Sequence, residues 1–211
     1  MSELSTSRTL DGRPRLDVSA IPDHAFGSRS VMWWATLCVI FIEGTVFLIT
    51  IASYFYLQGN ENEWPPGRTP LPGLLWPTVN TIVLLVSLIP NHFVKKAAEA
   101  KDPARVRPWF IVADLFALAF LVIRGFEYAQ LHVSWDSNAY GSVTWTLLSL
   151  HSVHLLTDYI DSVVLTVLMF TRHAKDPRRF VDVAENAFYW YFVVLSWLPI
   201  YAVLYWVPRW L

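Results

Sequence analysis

Four ionisable side chains interrupt an otherwise apolar run. His151, His154, Asp158 and Asp161 lie within Ser142 to Thr171, a stretch with neither proline nor glycine. Their spacings of three, four and three residues put all four on one stripe of a helix. Imidazoles and carboxylates so arranged can ligate a metal or haem, exchange a proton, or close an ion pair. The ligand reading is the weakest. Two histidines at i, i+3 form a poor ligand set, and two-histidine haem ligation calls for rings on facing helices. The other histidines, His24, His92, His132 and His173, fall in the N-terminal tail or at the ends of apolar segments. A lone cysteine, Cys38, allows neither an intrachain disulfide nor a cysteine-based metal site. No metal site is therefore assigned. No nucleophilic triad or phosphate-binding glycine loop is present, and no catalytic residue is assigned.

The element that carries the stripe sets its surroundings. Thirty helical residues span roughly 45 Å, enough to cross a bilayer with some tilt. A charged group near the bilayer centre costs about 2.5–3.5 kcal/mol or more, so the stripe must face protein. The composition agrees: 55% of the 211 residues are hydrophobic, against roughly 45–50% in soluble domains. Net charge is −1, which gives no reason to expect nucleic acid as a partner.

Five apolar segments emerge, about Val31–Leu57, Leu74–Val94, Pro108–Leu131, Ser142–Thr171 and Ala187–Val207. Residues 1–30 read as a polar, flexible cytoplasmic tail without the apolar core of a signal peptide, and residues 31–211 as one transmembrane domain. The expected fold is thus an all-α membrane protein, a bundle of five transmembrane helices. Pro65, Pro66, Pro70 and Pro72 should make the first loop stiff and extended. Pro90 should kink or end the second span. Lysine and arginine set the orientation. The tail holds four, the second loop five and the fourth loop four; the first loop and the C-terminal end hold one each, the third loop none. The alternation puts the N-terminus in the cytoplasm and the C-terminus outside.

With each span centred on the midplane, Glu43 and Asp158 fall close to it, and His154, Arg124 and His151 lie roughly 4–8 Å toward the outside. These five groups are expected to meet, because unpaired charges there are too costly. Arg124 is the expected counter-charge for Glu43 or Asp158, with Glu127, one turn on, as the competing partner. Glu43 can be read as a proton relay or as a structural hydrogen-bonding group. Asp114 and Asp161 lie nearer the cytoplasmic side, where water reaches. Asn80 and Thr81 offer hydrogen bonds between helices.

Seven segments, in order, carry a resemblance: FIEGTVFLITIASYFYL around Glu43, WPPG at Trp64–Gly67, PTVNTIVLLVS from Pro77, FEYAQL with Glu127 and Tyr128, YGS at Tyr140–Ser142, LHSVH ending at His154, and YWYFVVLSWLPIY from Tyr189. The chain resembles subunit III of haem–copper terminal oxidases, the cytochrome c oxidase subunit III family, in a short five-helix form without the first two helices of longer members. The resemblance implies a non-catalytic subunit that holds no haem or copper of its own, packs against catalytic subunit I, where the haem and copper reside, binds phospholipid in a cleft, and supports oxygen reduction and proton translocation. It implies an integral, multi-pass protein of a bacterial inner membrane. Departures from the family pattern are Arg124 for glutamine, Asp158 for glycine, Tyr191 for histidine and Val194 for aspartate. Arg124 and Asp158 together look compensatory, and an ion pair between them, direct or through His154, is expected. Two further readings stay open: an accessory subunit of a nitric oxide reductase or quinol oxidase, and an independent proton-coupled transporter. Transporters usually show paired helix breaks at the binding site, and the central spans lack them.

Overall fold

The structure, a computed structural model, describes residues 25–210 and, in the tail, the backbone of two short strands, β1 (Thr6–Arg8) and β2 (Pro14–Leu16), paired antiparallel. The rest of the tail, and with it the expectation of flexibility there, lies outside the described residues. Five helices, each long and apolar enough to cross a membrane, follow: α1 (Val31–Gly59), α2 (Leu75–Glu99), α3 (Pro103–Ala129), α4 (Ala139–Phe170) and α5 (Pro177–Tyr201). A π-helical turn, Ala202–Trp206, and a last turn, Val207–Trp210, extend α5.

The helices begin where side chains supply caps. Ser30, Asp102, Asn138 and Asp176 each accept a hydrogen bond from a backbone N–H in the first turn that follows. Pro103 and Pro177 occupy the first helical position, where the missing N–H costs nothing. These caps correct two expected boundaries. The α3 helix starts at Pro103, not Pro108, and α5 starts at Pro177, ten residues ahead of the apolar run. The basic segments expected as loops are therefore largely helical ends. Between α2 and α3 only Ala100, Lys101 and Asp102 remain. Pro90 does not end α2, which runs on to Glu99. The continuation is held by burial: Val94, Ala97 and Ala98 pack into a core cluster with Val106, Phe110, Met169 and Val183.

The seam between α2 and α5 has three rungs. Trp197 Nε1 donates to Thr81 Oγ1 at 2.8 Å, Trp190 Nε1 to Ser87 Oγ at 2.9 Å, and Asn91 Nδ2 to the Ala187 carbonyl at 2.9 Å. In a membrane, where apolar surface gains little from helix contact, such bonds and close packing hold the bundle together. The α1 helix differs: within its most apolar stretch only 6% is buried, and Phe47 and Tyr54 are its buried residues. It lies along α4 and α5 with most of its surface free. The first loop is tied down through Trp64, whose Nε1 donates to Tyr54 Oη at 2.9 Å and whose ring meets Tyr54 and Tyr140 edge-on. Gly141, in the YGS segment, has a physical reason: a Cβ there would lie 2.2 Å from the Ser134 carbonyl oxygen.

Candidate functional site

The expected single slab of charge is resolved into five separate groups. The most buried joins α2, α3, α4 and α5. Arg124 Nη1 lies 2.8 Å from Glu127 Oε2, and Arg124 Nη2 lies 3.2 Å from His151 Nδ1. Arginine has only donors, so His151 Nδ1 accepts. The ring proton is then on Nε2, which donates to the Val193 carbonyl at 3.0 Å. Both ring nitrogens are used, and neither is free for a metal or haem. Glu127 takes two more donors, Asn80 Nδ2 at 3.0 Å and Tyr205 Oη at 2.5 Å. The Arg124 guanidinium lies over two rings, 4.1 Å from the Trp197 centroid and 4.6 Å from that of Phe120. Arg124 and Glu127 are each 2% exposed.

This corrects the expected Arg124–Asp158 pair. Arg124 pairs with Glu127, three residues along its own helix, and the contact with α4 is made by His151. Asp158 lies two turns further along α4, roughly 10 Å away in rise. Its Oδ1 accepts instead from Asn186 Nδ2 at 3.0 Å, and the same amide reaches Asp161 Oδ2 at 3.3 Å.

Glu43 forms the third group, with partners on α4 and α5. Tyr189 Oη donates to Glu43 Oε2 at 2.5 Å, and His154 Nε2 lies 3.5 Å from Glu43 Oε1. His154 Nδ1 faces the Leu150 carbonyl at 2.6 Å and must donate to it. Glu43 and His154 thus face one another across α1 and α4. Both remain partly accessible, 24% and 14% exposed at the side chain.

The other two groups clip helices together. Asp114 on α3 accepts from Ser162 and, at 2.7 Å, from Thr166 on α4. Tyr191 on α5 meets His92 Nδ1 on α2 at 3.4 Å, with Lys95 above its ring.

The sequence reading missed Tyr189, Tyr205 and Asn186. Both tyrosines lie in a helix so rich in aromatics that neither stands out. Asn186 directly precedes the point where the apolar run was taken to begin. Among the described residues, no group of three His, Cys, Asp or Glu side chains is placed to hold a metal ion.

Fold and site together define a multi-pass membrane protein whose buried arginine is paired within its own bundle. The family described as cytochrome c oxidase subunit III matches residues 20–209. The chain belongs to that family. It is 25% identical over 189 residues to a cytochrome c oxidase subunit 3 of Thermostichus vulcanus, covering 89% of this chain and 92% of the relative. It is 27% identical over 183 residues to the Synechocystis protein of the same name, covering 85% and 77%. A probable cytochrome c oxidase subunit 3 of Nocardia farcinica is 29% identical over 189 residues, covering 87% and 92%.

Proposed function

We propose that this chain is the non-catalytic subunit III of a respiratory terminal oxidase, seated against the haem- and copper-bearing subunit I and surrounded by phospholipid. Its membrane is the cytoplasmic membrane of a bacterium, with the N-terminus on the cytoplasmic side. The observation that carries this reading is the family match across all five helices. The geometry of the histidines supports it: His151 spends both nitrogens on Arg124 and Val193, and His154 spends Nδ1 on Leu150 and turns Nε2 to Glu43. What remains for the chain to do is to shape a neighbour, with Glu43 and His154 as partly accessible polar groups.

The test is isolation in mild detergent by a tag on this chain, followed by an optical spectrum. A companion with haem bands and oxygen-consuming activity is expected. A chain that purifies alone, or one that itself binds iron or copper and consumes oxygen, overturns the reading.

A further inference from the structure

We propose that the N-terminal tail of this chain docks where α1 and α5 begin and α4 ends, and that its arginines pair there with carboxylates the bundle leaves unmatched. The wall between these three helices carries Asp158, Asp161, Asp182 and Glu185 against one cation, Arg179. Arg179 is committed to Asp182, with Nη1 2.8 Å from Oδ2. Asp158 and Asp161 share the neutral amide of Asn186. That leaves Asp158 Oδ2 and Glu185 Oε2 without a hydrogen-bond partner among the described residues, on residues that are 5% and 6% exposed. A buried carboxylate oxygen calls for a donor. Lys95 approaches Glu185 only from a separate crevice, and its ammonium lies over the Phe188 and Tyr191 rings. The described end of the tail lies in that same crevice, which Phe26 and Gly27 line together with Glu185. It is fixed there: Phe26 packs against the core cluster of Phe180 and Ala184, and Trp34 Nε1 donates to the Ser28 carbonyl at 3.0 Å.

The tail has the complementary charge and the reach. Residues 8–15, RTLDGRPR, hold three arginines against one aspartate. The strands β1 and β2 set Arg8 opposite Pro14 and Arg15 opposite Ser7, which gathers this charge into one hairpin. Ten steps of chain separate Leu16 from Phe26. Extended, they span roughly 33 Å. Glu185 lies only about 12 Å along α5 from its first residue, Pro177, so the hairpin reaches it with length to spare. A cation tethered this closely competes at an effective concentration on the order of mM. A guanidinium offers a carboxylate two parallel N–H donors, and its methylene stem suits the apolar border of Met32, Ala35 and Leu168. Docked so, the tail adds a hold on α1, the least buried of the five helices. The proposal stands whether or not the companion subunit is an oxidase.

The test uses the full chain in mild detergent with whatever subunits accompany it, in a Cys38→Ser background. Leu16→Cys, beside the arginines, is combined either with Leu168→Cys on the wall between α1, α4 and α5 or with Ala104→Cys, a more exposed position at the same end of the bundle. Disulfide formation under mild oxidation is followed on gels that separate links within one chain from links between two. Leu16→Cys should link to Leu168→Cys within one chain about tenfold faster than to Ala104→Cys. Arg8→Gln, Arg13→Gln and Arg15→Gln together should abolish that preference, as should Glu185→Gln. The arginine variants change no residue of the five helices, so their outcome does not turn on whether Glu185→Gln folds. Links formed equally fast at both positions overturn the proposal, as does a preference that survives the arginine variants. A product joining two chains assigns the site to a second copy and overturns it as well.

Discussion

At the scale of single residues, the distinction that matters is between a charge the chain has neutralised and one it has left in play. Arg124 and Glu127 are neutralised: buried, paired and ringed by Asn80, His151 and Tyr205. Removing one partner of such a pair strands the other, at about 3–5 kcal/mol. Arg124→Gln and Glu127→Gln should each lower stability by that order, and the double variant should lose clearly less than the sum, read as a thermal-melting cycle in detergent. Exchanging the charges of Arg124 and Asp158 should rescue nothing. Glu43 is the charge in play. Glutamine can still accept from Tyr189, so Glu43→Gln should assemble normally while changing turnover, or its persistence, in the intact complex. Loss of assembly would make Glu43 structural. The ionisable residues were all visible in the sequence as costly intrusions into apolar runs. Their partners were not, because depth in the membrane follows from counting residues whereas the angle each helix turns toward its neighbours does not. Arg124 and Asp158 were matched wrongly also because the expected α3 began five residues late, which set Arg124 too near the midplane; Tyr189 and Tyr205 went unnoticed because their facing was not legible.

At the scale of elements, the tight α2–α3 turn shows what hydropathy overlooks. Asp102 N–H donates to the Ala97 carbonyl and Lys101 N–H to the Ala98 carbonyl, which closes α2 in a Schellman pattern. Asp102 then caps α3 with its side chain at once. Lys101 takes the left-handed conformation at φ 54° that the pattern demands. A side chain there costs roughly 1–2 kcal/mol, so Lys101→Gly should raise stability by about 1 kcal/mol. A melting temperature that falls would show that the lysine side chain contributes a contact worth more than the strain. Read forward, Asp102-Pro103 and Asp176-Pro177 are both cap-then-proline signals, legible without a structure. They were masked by the surrounding Lys and Arg, which fitted a loop equally well. The π-helical turn at Ala202–Trp206 had no signature at all, although it is the segment that holds Tyr205, the residue that reaches Glu127.

At the scale of the whole molecule, charge and contact divide the bundle into the same two ends. The first loop, the third loop and the C-terminal turn meet at one end: Asn138 Nδ2 donates to Thr69 Oγ1 at 3.0 Å, and Arg209 donates to the Pro72 carbonyl. The start of α3 and the end of α4 meet at the other, where Arg107 Nε donates to the Met169 carbonyl at 2.8 Å. The count of five spans was secure in the sequence because two signals with different origins agreed, apolar length and the alternation of basic loops. The side of the membrane rests on the second alone, and it is open to a direct test. Cys38 is the single cysteine, so a Cys38→Ser background is free of thiols. Into it, Asn62→Cys and Asp136→Cys place a thiol at exposed positions of one end, Ala104→Cys and Lys175→Cys at exposed positions of the other. In intact spheroplasts, a membrane-impermeant maleimide should label the first pair and spare the second; in inverted vesicles the pattern should reverse. Labelling of Ala104→Cys and Lys175→Cys from outside would mean the chain inserts the other way up. The sidedness assigned from loop charge would then fall.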